Sequence, residues 1–275
     1  MKRLLIALPL SALALCVFVY KSSADSGAWT EHFGIDKSDL ASTGRNSVFG
    51  PADDHADRDL ASTGRNPYFI LQPDCRLTFE GDDSQRVITV LGETKIIDRV
   101  ETRVVEERET EGGKLTKVSR KYFAISERTN SVFYFGEDID TYDDKGVVVN
   151  RERIWLAGTG GAKAGLMMPG LPLLGARYYE EMAPRLVMDR AEIVSMDESV
   201  HVAAGKFENV LKVEETSPLR PLSREHKLYA PGVGLLKDGN FELVRYEVPE
   251  QESQAVKPTG GARGARGLQR QYGQK

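Results

Sequence analysis

The chain reads as all-β with at most minor α content, a curved antiparallel sheet or incomplete β-barrel. Three observations predict this. Segments rich in Val, Ile, Thr, Tyr and Phe recur between residues 68 and 248 and stop at turn formers such as Glu111-Gly112-Gly113 and Asp143-Asp144-Lys145-Gly146. No long helical period lies between them. Charged residues fall inside the runs, as in Arg103 to Glu109, which fits a sheet with one packed and one wet face.

The elements follow in order. The N-terminus has Lys2 and Arg3 ahead of an uncharged run from Leu4 to Tyr20, closed by Lys21 and the small residues Ser22-Ser23-Ala24. This is the pattern of a secretory signal over residues 1–24, and it predicts a periplasmic or secreted protein. The run is about 17 residues, the short limit for a bilayer span, so an uncleaved anchor is a secondary reading. Lipidation at Cys16 is disfavoured by the bulky Leu15 before it. With the signal removed Cys75 is the sole cysteine, so no disulfide forms within the chain.

Residues 25–66 are rich in Ser, Asp, Gly and Asn and read as a disordered linker. They hold a duplication: Asp39-Leu40-Ala41-Ser42-Thr43-Gly44-Arg45-Asn46 returns unchanged as Asp59-Leu60-Ala61-Ser62-Thr63-Gly64-Arg65-Asn66. Two copies are too few for a solenoid. A local duplication in a solvated segment is the simple reading, and a repeated docking peptide the sharper one.

The β-domain is placed at residues 67–248. Expected strands are Val87 to Ile97, Thr102 to Thr110, Lys114 to Ser126, Ser131 to Tyr142 and Val147 to Trp155. Beyond a loop come Leu186 to Met196, Val200 to Val202, Phe207 to Glu215, Glu225 to Tyr229 and Phe241 to Val248. The spacing of turns between them predicts a meander. The stretch from Ala157 to Gly175 reads as a Gly-rich, apolar connection, and Arg177 to Met182 as a short helix or strand. Residues 249–275, rich in Gln, Gly and Arg, read as a disordered basic tail.

Charge narrows the function. Setting aside the eight bases of the signal and tail leaves 29 bases against 41 acids, a net of −12. Such a body is no nucleic-acid-binding domain. The basic tail suits an anionic surface or an envelope protein.

The domain resembles a group of uncharacterised exported bacterial proteins. The resemblance rests on Asn66-Pro67-Tyr68-Phe69 at its opening, Phe79-Glu80-Gly81-Asp82, Tyr134-Phe135-Gly136-Glu137-Asp138, Gly205 to Lys212, and Tyr229-Ala230-Pro231-Gly232-Val233-Gly234-Leu235-Leu236-Lys237 at its close. A Trp expected near Leu77 is missing. The group is broadly similar to envelope carrier domains, whose curved sheets hold lipid or lipoprotein chains; the resemblance implies that fold and a lipid or other hydrophobic ligand.

No catalytic or metal motif stands out, and no cofactor is implied. Gly158 to Gly165 fails the phosphate-loop pattern, because Ala162 and Ala164 flank Lys163 where Gly and Ser or Thr belong. Asp138, Asp140, Asp143 and Asp144 lack the Gly and Glu of a calcium loop. The four histidines are scattered, and no Gly-x-Ser-x-Gly elbow is present. The candidate ligand-binding residues are Leu166, Met167, Met168, Leu171, Leu173 and Leu174, six large apolar side chains that would be costly if wholly exposed. They suit either a plug at the end of the sheet or a mobile lip over an apolar cavity, where methionines adapt to acyl chains.

The sequence therefore predicts an exported, non-enzymatic domain that binds an apolar or amphipathic ligand in the cell envelope. The alternatives are an interaction module without ligand, and a hydrolase or isomerase using carboxylates within the same sheet. A buried, convergent acid pair lining a pocket would favour the last.

Overall fold

The computed structural model describes residues 59–250. The signal segment, the first copy of the repeat and the tail after Glu250 lie outside them. Among the described residues there is no helix, and an antiparallel sheet curls into a nearly closed barrel.

Three short strands open the chain: β1 (Leu60–Ala61), β2 (Gly64–Asn66) and β3 (Phe69–Leu71). The meander then runs through β4 (Arg76–Gly81), β5 (Ser84–Ile97), β6 (Val100–Glu111), β7 (Lys114–Ser126), β8 (Val132–Tyr142) and β9 (Val148–Leu156). After β10 (Lys163–Met168), β11 (Arg177–Tyr179) and β12 (Glu181–Met182) it resumes with β13 (Arg190–Val202), β14 (Gly205–Ser217), β15 (Arg220–Ala230), β16 (Gly234–Asp238) and β17 (Phe241–Glu247).

Around the barrel the order is β11-β13-β14-β15-β16-β17-β4-β5-β6-β7-β8-β10-β12, with β9 on β8 and β1 on β7. The last strand, β17, pairs with β4 through Leu243 opposite Phe79, joining the two halves of the meander. The two edges of this path, β11 and β12, are separated in sequence by Glu180 alone. The barrel thus comes closest to closing at a glutamate. Gly165 on β10 fits there because it has no Cβ: an added one would stand 2.0 Å from the Glu180 carbonyl oxygen.

Alternation builds the interior. On β6 Val105 and Glu107 share a face, and on β7 so do Lys121 and Phe123, because successive side chains point to opposite sides. A run of aromatic contacts fixes one side: Phe69 to Phe123 at 5.0 Å between ring centroids, Phe123 stacked on Tyr134 at 4.7 Å, and Tyr134 edge-on to Trp155 at 5.2 Å. A smaller cluster around Phe79, Leu236 and Leu243 fills the region beside β17.

Two expectations need correction. The second copy of the repeat, Asp59 to Asn66, belongs to the fold and not to the linker expected before residue 67. Leu60 is buried and pairs with Ser126 on β7. Arg103 donates to the Ser62 carbonyl at 2.9 Å and to Thr63 Oγ1 at 2.6 Å. Asn66, fully buried, donates to the carbonyls of Asn130 at 2.8 Å and Pro169 at 2.9 Å and accepts from the Tyr68 amide at 2.8 Å. Polar residues that looked solvated are satisfied by protein groups. The second correction is β10, inside the expected loop: Gly165 and Leu166 pair with Tyr134 and Phe133 of β8. The segment from Arg177 to Met182, open between helix and strand, is β11 and β12.

Candidate ligand cavity

A partly open cavity of ≈ 150 Å³ lies inside the barrel, lined from β3 to β8 on one side and from β10, β12 and β14 to β16 on the other. Its lining mixes two chemistries: Phe69, Leu77, Val90, Phe123, Tyr134 and Tyr229 are apolar or aromatic, and Glu107, Lys121, Glu180, Glu181, Glu215 and Lys227 are ionisable.

Part of the ionisable lining is a ladder of alternating sign across neighbouring strands. Arg86 Nε stands 3.3 Å from Glu107 Oε1 and 3.1 Å from Glu109 Oε1, and Arg86 Nη1 is 2.5 Å from Asp238 Oδ2. Lys121 Nζ stands 2.9 Å from Glu107 Oε2, and Lys227 Nζ 2.7 Å from Glu215 Oε1. Burial pushes the Glu107 carboxyl upward, but Lys121 and Arg86 outweigh it and hold the group well below the usual carboxylate range. Lys121 shows the mirror case: burial pulls its ammonium down, and Glu107 with Glu137 lifts it above the usual lysine value.

At the seam the balance reverses. Burial raises Glu180 well above 4.5, and the Glu215 carboxylate raises it further. Its side chain hydrogen-bonds that of Glu215, which requires a proton between the two groups. Burial likewise lifts Glu181 to about 8, with Asp189 and Glu137 adding to it. The Tyr134 hydroxyl, buried on the cavity wall, makes no hydrogen bond of normal geometry. Cys75 also lines the cavity, its thiol pushed up to about 11 by burial, the form expected of a small buried hydrophobe.

Of the six candidate residues, only Met167 lines this cavity. Leu166 and Met168 are buried in β10. Leu171, Leu173 and Leu174 follow in the connection to β11, at 77%, 61% and 67% exposure, so they neither plug the sheet nor face the cavity wall. The acids and lysines of the wall were missed as a site. The signal was present: Lys121 shares parity with Phe123, Glu215 with Val213 and Lys227 with Tyr229, so each charge lies on an apolar face.

The other sequence candidates resolve into local partners. Asp138 accepts from Lys95 Nζ and the Tyr122 hydroxyl, Asp140 from Arg120, and Asp143 from the amides of Lys145 and Val147 in its own turn. His201 lies opposite Lys206 and His226 opposite Glu214, far apart along β14. Among the described residues no group of three or more His, Cys, Asp and Glu is placed to hold a metal. The chain matches no family model, no curated protein and no solved structure.

Proposed function

We propose that this is an exported protein whose barrel interior binds a small amphipathic molecule. One observation carries the reading: a single cavity is lined both by aromatic and aliphatic side chains and by inward-facing carboxyl and ammonium groups. Apolar pockets with a few convergent polar groups are what small-molecule sites look like. Size restricts the ligand. An apolar cavity of about 150 Å³ holds one benzene ring, so the occupant is ring-sized or enters by one end, and a long acyl chain is not enclosed whole. The export signal and the resemblance to envelope carriers set the compartment for this proposal.

The test is native mass spectrometry of the mature protein from its envelope fraction, paired with displacement of a hydrophobic naphthylamine fluorophore. A small added mass that is lost on solvent extraction supports the reading, as does fluorophore binding abolished by filling the cavity with Ile88→Trp. A bare polypeptide mass together with no fluorophore binding contradicts it.

A second reading is favoured by the Glu180–Glu215 pair. Two acids sharing a proton beside a lysine are suited to general acid–base work on a ligand. If so, a ligand recovered from the protein in heavy water carries deuterium at a carbon that Glu180→Gln protein leaves unexchanged. Absence of exchange by the unaltered protein excludes this reading and leaves binding alone.

A further inference from the structure

The identity of the polar end of the ligand follows from which charges in the cavity already have partners; this rests on the cavity being a ligand site. Both lysines on the wall are committed, Lys121 to Glu107 at 2.9 Å and Lys227 to Glu215 at 2.7 Å. Two acids remain. Neither Glu180 nor Glu181 has a base within ion-pair distance among the described residues, although Glu180 is only 5% exposed. The Tyr134 hydroxyl, 3% exposed in the same cavity and near Glu137 and Glu181, makes no hydrogen bond of normal geometry.

An anionic ligand would meet these carboxyl groups with no uncommitted cation to receive it. A neutral ligand would leave the surplus of acid in place. A cation would favour the ionised form of both acids and become their ion-pair partner in a setting where such attraction is strong. In the same cavity Phe69, Phe123 and Tyr134 form a packed aromatic cluster, and aromatic rings attract positive charge as well as apolar groups.

We propose that the cavity binds a small organic ammonium ion, its nitrogen against Glu180 and Glu181 and its apolar body against Phe69, Phe123 and Tyr134. Binding releases to solvent the protons that the two acids hold, the nitrogen donates to the resulting carboxylates, and the hydrocarbon part fills a space of one ring.

The experiment compares three ligands of one shape by calorimetry at neutral pH: benzylammonium, benzyl alcohol and benzoate. Benzylammonium is expected to bind at least ten-fold more tightly than benzyl alcohol, with no binding of benzoate. Equal affinity for the amine and the alcohol, or preference for benzoate, overturns the ammonium assignment while leaving the cavity as a ligand site. Failure of all three to bind overturns both. Glu180→Gln with Glu181→Gln is expected to remove the ten-fold preference without changing benzyl alcohol binding, and an undiminished preference overturns the proposal. If the double variant does not fold, Tyr134→Phe is the second probe. It is expected to weaken the amine a few-fold, and an unchanged preference there counts equally against the proposal.

Discussion

Glu107 and Glu180 are equally inaccessible, 5% exposed each, and both line the same cavity. Their chemistry is opposite. Glu107 stands between Lys121 and Arg86 and stays ionised. Glu180 lies near Glu215, and burial together with that neighbouring carboxylate raises it well above 4.5. Burial is common to both, so the partner decides the charge state. The ladder through Arg86, Glu107 and Lys121 spans the meander strands β5 to β7 and reads as framework. Among the described residues the acids at the seam form no ion pair, and the pull of Lys227 and Lys121 does not offset their burial, which marks them as the reactive or binding end.

The largest effect that tests this difference comes from Lys121→Met. Removing one partner leaves Glu107 buried beside Arg86 alone, and breaking a buried pair in this way costs about 3–5 kcal/mol. Urea unfolding is expected to show that loss, and Glu107→Gln in the same chain to recover a large part of it. A loss below about 1 kcal/mol would mean that water reaches Glu107 and that the ladder is not framework.

Next in size is a pH effect at the seam. Glu181 holds its proton to about 8 in the fold, against 4.5 ordinarily. Between those values the folded chain binds more protons than the unfolded one, so stability falls as pH rises and levels off above about 8. The slope from one such group is at most about 1.4 kcal/mol per pH unit. Glu181→Gln is expected to remove this component of the slope, measured by urea unfolding from pH 5 to pH 9.

Glu180→Gln is expected to change stability at neutral pH by less than about 1 kcal/mol, because its surroundings favour the uncharged acid and the amide has nearly the same shape and hydrogen-bonding groups. A loss as large as that of Lys121→Met would erase the distinction between the two glutamates. The smallest effect is kinetic: the Cys75 thiol, raised to about 11, should react slowly with alkylating reagents at pH 8 and quickly once the chain unfolds.

Much of the fold was legible because strands and turns announce themselves locally. β7 runs from Lys114 to Ser126, the expected bounds, between a Gly-Gly turn and a polar turn. β6, β8, β9 and β17 agree within a few residues. What escaped depends on contacts distant in sequence. Ser62, Thr63 and Asn66 look solvated by type, yet Arg103 ties the first two to the fold and Asn130 and Pro169 satisfy the buried Asn66. β10 was hidden by the glycines before it and Pro169-Gly170 after it. The site was less legible than the fold. Apolar residues in a loop drew attention to Leu171, Leu173 and Leu174, which are exposed, while the charges that line the cavity were read as a wet face. Their parity with Phe123, Val213 and Tyr229 held the information. Choosing between a wet face and a charged interior required knowing that the sheet curls until its two edges meet at Glu180.

The most direct test is carboxyl titration by carbon NMR on protein labelled at glutamate, with Glu107→Gln, Glu180→Gln and Glu181→Gln to assign the signals. The account predicts that Glu107 stays ionised down to the acid limit of the fold, that Glu181 titrates near 8, and that Glu180 titrates well above 4.5. Titration of all three near 4.5, as free glutamates do, would contradict it, because the cavity would then hold water in place of a lone-acid site.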